Sequence, residues 1–308
     1  MDFLGKDIIS INDISRNEID HIISKAFEIE KMSVNEKLEI LKGKIMASLF
    51  FEPSTRTKDS FTAACLKIGG SVVGFSDTSS TSLKKGESLF DTVKMYEKYT
   101  DILVMRHKIE GAARFAAESI DIPVINGGDG ANQHPTQTLL DLFSIKKTQN
   151  KIDNLHVAMA GDLKYGRTVH SLASALAKYN CTLYFISPDS LNMPDYIKEE
   201  LKKNKIKFSE HKEIQEVIDK LDILYMTRIQ AERFPDKTDY EKVRGVYVLD
   251  KSMLNDVKDS FRIMHPLPRV DEIATEVDST PYAYYFEQAA NGVPVRQALL
   301  GLLTGGLK

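Results

Sequence analysis

The sequence predicts an α/β protein: two doubly wound parallel-sheet domains with the active site in the crevice between them. Three observations carry this expectation. Short apolar runs alternate with stretches of helical periodicity along nearly the whole chain. At 308 residues the chain is long for one hydrophobic core, and such chains usually split in two. Finally, a strongly amphipathic stretch opening at His134 separates two βα series of similar size. The expected limits are 1–133, completed by a C-terminal helix at 288–308, and 134–287.

The elements follow in order. "KIMASLFF" (44–51) reads as a buried strand. "STRTKDSFTAACLKIG" (54–69) reads as a helix, with Phe61, Ala64, Cys65 and Ile68 on one face and Gly69 as its stop. "SVVGF" is a strand, "ESLFDTVKMYEKY" a helix, "DILVMR" a strand, "IEGAARFAAE" a helix and "IPVIN" a strand. "HPTQTLLDLFSIKK" (134–147) is the junction helix. The second series runs from strand "HVAMAG" through a helix at 166–179, strand "TLYFIS", helix "PDYIKEELKKN", helix "EIQEVIDK" and strand "DILYM". "GVYVLD" and "FRIMH" are further strands. The closing helix, "VPVRQALLGLLTGG", is too apolar to lie uncovered, so it is expected to complete the first domain.

Composition removes several function classes. The chain is 42% apolar and 28% charged with a formal net charge of −3, which gives no electrostatic argument for nucleic acid or an anionic membrane. Any basic site must be local. No window approaches the ~18 apolar residues of a membrane span. "MDFLGKDIIS" has no basic region followed by a long apolar core, so no secretory signal is expected and a cytoplasmic location is the default. Cys65 and Cys181 stand far apart with no CxxC or Cys/His cluster; they read as small core residues, and no metal site or cofactor is expected.

The chemistry-bearing residues fall at strand ends. "PSTRT" sits between a strand and a helix, where Ser54 can cap and Thr55, Arg56 and Thr57 occupy the first turn. Free N–H groups, hydroxyls and a guanidinium at one spot suit phosphate. Arg106 ends another strand and supplies a second guanidinium at the same sheet edge. In "NQHPTQ", His134 and Gln137 share a helix face, with Pro135 at the first helical position. The helix dipole favours neutral His134, which can donate one hydrogen bond and polarise a carbonyl. "MTRIQAERF" offers Arg228, Gln230, Glu232 and Arg233. "HPLPR" (265–269) has two prolines holding an extended turn whose carbonyls can accept from a ligand amide. "TSLKKGES" (81–88), with Lys84 and Lys85 at its tip, reads as a solvated loop or as a mobile lid bringing an ammonium to an anion.

One motif admits two readings. "GDLKYGRT" (161–168) has nearly the spacing of a nucleotide phosphate loop, and "VYVLD" mimics the strand that brings a magnesium-binding Asp. Against this, Arg167 stands where such loops have lysine, and Arg is not a conservative replacement there. The nucleotide reading also leaves "PSTRT", "HPTQ" and "HPLP" without work. A planar fork at Arg167 matches a carboxylate bidentately.

"FFEPSTRT", "MRHKIEGAARFAAE", "GDGANQHPTQTLLDLF", "GDLKYGRTVHSL", "LYMTRIQAERF" and "MHPLPRVDEIATEVDSTPYAYYFEQAANGVPVRQALL" occur in this order. Together they closely resemble the catalytic chains of the aspartate carbamoyltransferase family over nearly the whole length. That resemblance implies transfer of the carbamoyl group of carbamoyl phosphate to L-aspartate in pyrimidine synthesis, without a cofactor. Ser54, Thr55, Arg56, Thr57 and Arg106 would hold the phosphate. Arg106, Thr57 and His134 would polarise the carbamoyl oxygen. Gln137 and the carbonyls of Pro266 and Leu267 would take the carbamoyl NH₂. Arg167 and Arg228, assisted by Gln230, would clamp the aspartate carboxylates. Lys85 and Ser82, with Ser80 and Thr81 as alternatives to the latter, would reach a neighbouring subunit's site, with Lys85 serving aspartate there. A homotrimer with shared sites is therefore implied. Glu52 resembles the family's domain-bridging acid, pairing with Arg167 and Arg233 on closure. The form of "GDLKYGRTVHSL" is similar to that of members that assemble with a separate zinc-bearing regulatory chain. Ornithine carbamoyltransferases share "STRT" and "HPTQ" but usually carry Cys where this chain has Pro266.

Overall fold

The computed structural model describes residues 1–78, 81–229, 236–243, 245 and 247–308, without the side chains of 237, 239 and 242. Gln230, Glu232 and Arg233, and Ser80 in the first half, lie outside the described residues. The chain divides into two compact units, Met1–Leu140 with Asn291–Lys308, and Asp141–Ala290.

The first unit begins with α1 (Arg16–Lys31). Ser15 and Glu18 close a capping box, in which the Ser15 hydroxyl accepts from Glu18 N–H and the Glu18 carboxylate accepts from Ser15 N–H at 2.8 Å. The helix buries Ile19, Ile22, Ile23, Ala26 and Ile29, one face at helical spacing. After the short α2 (Val34–Leu38) come β1 (Ile45–Phe50), α3 (Thr55–Lys67), β2 (Ser71–Phe75), α4 (Leu89–Glu97), β3 (Ile102–His107), α5 (Ala112–Ser119), β4 (Val124–Asp129) and the start of α6 (Pro135–Gln149). The strands form a parallel sheet in the order β2-β1-β3-β4. The chain moves from β1 outward to β2, then returns to the other side of β1 for β3. The switch point of the sheet therefore lies between β1 and β3, where crossover loops diverge and leave room for a ligand.

The last helix, α11 (Gly292–Thr304), belongs to this first unit. It is buried almost all round and packs on α1 and α3, where the Arg296 guanidinium lies 4.8 Å from the centre of the Phe61 ring. Gly305, at φ 80°, ends it in the left-handed conformation.

The second unit contains β5 (His156–Ala160), α7 (Arg167–Leu176), β6 (Thr182–Ile186), α8 (Asp195–Lys203), β7 (Phe208–His211), β8 (Ile223–Met226), α9 (Lys237–Val243), β9 (Arg262–Met264) and α10 (Tyr285–Ala290). Its parallel sheet runs β7-β6-β5-β8-β9, so here the switch point lies between β5 and β8. Residues Val157 to Ala160 are fully buried, as expected for a central strand covered on both faces. Among the described residues, no helix is long and apolar enough to cross a membrane.

Four points need correction. "EIQEVIDK" is two separate 3₁₀ turns, Ile214–Glu216 and Ile218–Lys220, because Val217 between them sits at φ −139°. Ile214, Val217 and Ile218 are buried with helical spacing nonetheless, which is why the pattern misleads. "GVYVLD" forms no strand among its described residues; Tyr247 and Leu249 are buried and Val248 is exposed, but the only ladder contact is an isolated bridge from Leu249 to Ile273. An edge strand, β7, was not expected at all. Its "FSEH" alternates too weakly to read as apolar. The helix expected to reach residue 179 ends at Leu176 and passes into a 3₁₀ turn.

Candidate active site residues in the two units

In the first unit the candidate residues gather at the carboxyl edge of the sheet, beside the switch point. β1 ends at Phe50, and after four residues the chain enters α3 at Thr55. Ser54 occupies the N-cap position, yet its side chain makes no capping hydrogen bond. The donors of the first helical turn are therefore not consumed by that hydroxyl. Thr55 and Arg56 are exposed there, while Thr57 is buried.

Arg106 lies directly opposite Phe50 in the parallel register, and its carbonyl accepts from Phe51 N–H at 2.8 Å. Its side chain is only 11% exposed. The guanidinium donates to the Gly127 carbonyl at 3.2 Å and forms an ion pair with Glu52, also at 3.2 Å. Arg106 is thus gripped between β4 and the β1–α3 connection, so the two guanidinium residues of the sequence argument do share one edge. Glu52, expected to bridge to Arg167 and Arg233, is seen here on Arg106.

His134 is buried and accepts through its carbonyl from Gln137 N–H at 3.0 Å at the start of α6. The loop that delivers it is organised by Asp129. This buried carboxylate accepts from Asn126 Nδ2 (2.8 Å), Gln133 N–H (3.1 Å), Gly111 N–H (2.8 Å) and Asn132 Nδ2 (3.0 Å). Four donors on one carboxylate nearly saturate it, which is how a buried charge becomes tolerable. Ser82 and Lys85 lie in a 3₁₀ turn, Ser82–Lys85, stopped by Gly86 at φ 92°; both are exposed.

The second unit repeats the arrangement. The stretch 161–166 leaves β5 and delivers Arg167 as the first residue of α7. Gly161, at φ 115°, lies so close to β8 that a Cβ there would meet the Thr227 carbonyl oxygen at 2.2 Å. A Cβ on Gly166 would meet the Asp162 carbonyl oxygen at 2.4 Å. The two glycines are thus required by packing. Four of the loop donors are taken up by the protein itself: Gly161 N–H on Ile186 O, Asp162 N–H on Thr227 Oγ1, Tyr165 N–H on Asp162 Oδ1 and Arg167 N–H on Tyr165 O. A phosphate cradle needs those N–H groups turned toward the anion, so this loop does not have the construction of one.

Arg228 follows β8, paired strand to strand with β5, and therefore flanks the second switch point with Arg167. It lines a small cavity of about 60 Å³ with Gly161, Thr227, Tyr247 and Glu272. Pro266 and Leu267 follow β9 at the same sheet edge and are half-buried; Leu267 takes φ 55° and precedes a cis peptide to Pro268.

Sequence reasoning missed the two aspartates that shape these loops, Asp129 and Asp162. A signal was present. Each follows a glycine at a strand end, Gly128 at φ 116° and Gly161 at φ 115°, so a Gly-Asp pair closes β4 and follows β5 in the same way.

Comparison with known proteins identifies the family. The family model for the carbamoyl phosphate-binding domain of aspartate/ornithine carbamoyltransferases matches residues 6–147, and that for the aspartate/ornithine-binding domain matches 153–303. The aspartate carbamoyltransferase catalytic subunit of Thermococcus kodakarensis is 56% identical over 309 residues, covering 100% of this chain and 99% of that protein. Catalytic subunit 2 of Shewanella halifaxensis is 56% identical over 300 residues, covering 97% and 96%. Among solved structures, the catalytic subunit of M. jannaschii aspartate transcarbamoylase superposes with a TM-score of 0.91 at 49% identity, covering 97% of this chain and 98% of that one. The Trypanosoma cruzi enzyme in complex with carbamoyl phosphate and aspartate gives 0.91 at 38% identity, covering 98% and 97%. On these matches, the chain belongs to the aspartate/ornithine carbamoyltransferase family, among its aspartate carbamoyltransferase catalytic subunits.

Proposed function

We propose that this chain transfers the carbamoyl group of carbamoyl phosphate to the amino group of L-aspartate, releasing phosphate, as a step of pyrimidine synthesis in the cytoplasm. The observation that carries the reading is the placing of arginines at both switch points: Arg106 beside the "PSTRT" turn in one sheet, Arg167 and Arg228 in the other. One unit is equipped for a phosphate and the other for carboxylates.

In this reading Ser54, Thr55, Arg56, Thr57 and Arg106 hold the phosphate. Arg106, Thr57 and His134 stabilise negative charge on the carbamoyl oxygen as the amine adds. Gln137 and the carbonyls of Pro266 and Leu267 accept from the carbamoyl NH₂. Arg167 and Arg228, with Gln230, take the two carboxylates of aspartate. The aspartate nitrogen forms a bond to the carbamoyl carbon, the bond from that carbon to the phosphate oxygen breaks, and the departing phosphate accepts the amine proton. Catalysis then comes from positioning and electrostatics, with no side chain needed as general base. Exposed Ser82 and Lys85 serve the neighbouring subunit's site in a homotrimer, and Glu52 exchanges its partner for Arg167 and Arg233 when aspartate binds. A separate zinc-bearing chain supplies regulation.

The test is product formation from carbamoyl phosphate with L-aspartate or L-ornithine. Carbamoyl-aspartate is expected. Citrulline would mean that the second-substrate residues serve a cationic amino acid, and ATP hydrolysis without either product would restore the nucleotide reading of residues 161–168. Elution as a bare trimer after co-expression with the candidate regulatory chain would refute that association.

A further inference from the structure

We propose that His265, through one neutral tautomer of its imidazole, is the positioning residue that holds the Pro266–Leu267 turn in shape to receive the carbamoyl NH₂. The inference deepens the function proposed above and rests on its assignment of those two carbonyls.

The backbone of His265 is anchored first. Its N–H donates to Gln288 Oε1 at 2.8 Å, and Gln288 Nε2 donates in turn to Asp141 Oδ1 at 2.6 Å. The Tyr225 hydroxyl donates to Asp141 Oδ2 at 2.9 Å. Elements α6, β8 and α10 thus converge on the residue that leaves β9, all of it buried.

The ring is then fixed by its two partners. Nδ1 accepts from Leu267 N–H at 2.8 Å, so it must carry a lone pair. Nε2 lies 2.6 Å from Glu272 Oε1. The other Glu272 oxygen accepts from Val270 N–H at 3.1 Å and Asp271 N–H at 3.2 Å, as an ionised carboxylate does. An acceptor facing Nε2 requires the proton there. A proton on Nδ1 would set N–H against N–H and release Leu267, a residue held at φ 55°, a region leucine seldom adopts. The imidazole is therefore what keeps that backbone in place.

The surroundings favour the neutral ring. Burial pushes the His265 pKa down most, Glu272 opposes this, and Arg269 and Arg228 add to the lowering. Asp141 is linked to His265 through the Gln288 amide.

Two substitutions separate the atoms of the ring. His265→Asn keeps an acceptor near the Nδ1 position and loses the group at Nε2. His265→Gln keeps a donor near Nε2 and loses the acceptor. The turn-positioning role predicts a fall in kcat of about tenfold or more for His265→Gln, with KM for aspartate within about threefold, and a much smaller fall for His265→Asn. Matching melting temperatures for the two variants would show that the difference is not one of folding. Equal losses in the two, or a larger loss in His265→Asn, would overturn the proposal. A second measurement needs no altered protein to be active. In the ¹⁵N-histidine spectrum of the wild-type oligomer, assigned with His265→Gln, His265 should stay the Nε2–H tautomer from about pH 6 to about pH 8. An imidazolium or an Nδ1–H tautomer there would overturn it. Wild type that makes no carbamoyl-aspartate would instead sink the proposed function, leaving the tautomer to be judged alone.

Discussion

Replacing Arg167 by glutamine tests the carboxylate clamp most directly. Arg167 opens α7 at the second switch point and is half-buried, so its hydrogen bonds to a ligand are partly shielded from water. Two charge-assisted bonds from one guanidinium to a carboxylate contribute ~1.5–3 kcal/mol each, and half-burial argues for the lower end. The pair is then worth ~3 kcal/mol, or a loss of about 10² in kcat/KM for aspartate. Part of the anion affinity survives, because the helix N-terminus still contributes ~0.3–1 kcal/mol. Lysine keeps the charge without the fork and should fall in between, about tenfold below wild type. The assay is the initial rate of carbamoyl-aspartate formation against aspartate at saturating carbamoyl phosphate, then against carbamoyl phosphate. KM for carbamoyl phosphate should move by less than ~3-fold, because the residues proposed to hold the phosphate belong to the other unit. A loss confined to carbamoyl phosphate, or glutamine indistinguishable from arginine, would refute the clamp.

Other outcomes follow from the packing. Gly161→Ala puts a Cβ 2.2 Å from the Thr227 carbonyl oxygen at a backbone angle of φ 115°, so a loss of ~3 kcal/mol or more is expected in thermal melting; an unchanged melt would mean β5 and β8 are not in such close approach there. Leu299→Ala empties a fully buried position on α11 and should cost ~2–5 kcal/mol by denaturant titration, with a near-zero effect showing that the helix is not integral to its unit. Stability should also fall on acidification. Burial holds His265, His170, His107 and His21 below their ordinary 6.5, so the unfolded chain binds protons more readily than the folded one. Their contribution is full above about 6.5 and is lost as pH falls through the lower folded values; a melting temperature that rises between pH ~7 and pH ~5 would contradict this sign.

The parallel sheets were legible because their strands are buried on both faces and read as unbroken apolar runs. β2 is mostly exposed and was still legible, because "SVVGF" is apolar; a strand that is both at the edge and polar was not. β7 is an edge strand whose register with β6 is set by backbone pairing, Leu183 opposite Phe208 through Ile186 opposite His211, and its own side chains are mostly polar. "EIQEVIDK" shows the converse. Its buried side chains have helical spacing, but Val217 breaks the backbone, and the same three side chains reach the core from two turns. Apolar spacing reports which residues are buried and leaves open the backbone path that buries them.

The site was legible to the extent that its chemistry is carried by charged side chains at strand ends. The guanidinium residues identify themselves by type and place. What shapes the loops around them was hidden, because it is made of polar contacts that leave no apolar pattern: Asp129 with donors from α5's start and the loop after β4, Asp162 with the turn before α7, His265 with Glu272. Only the Gly111 contact depends on which strands lie side by side; the others are turns within one loop, where spacing alone does not say which carboxylate will accept. The glycines of "GDLKYGRT" make the point sharpest. Their spacing imitates a phosphate cradle, yet one exists to let β5 pass close to Thr227 and the other to clear the Asp162 carbonyl, and of the N–H groups between them Asp162 donates to Thr227 Oγ1 and Tyr165 to Asp162 Oδ1. The same Gly-x₄-Gly string therefore serves two different chemistries, and the direction of the loop N–H groups decides between them. In this chain the Asp162 and Tyr165 N–H groups are bonded to protein, which is consistent with the proposal that Arg167 holds the anion.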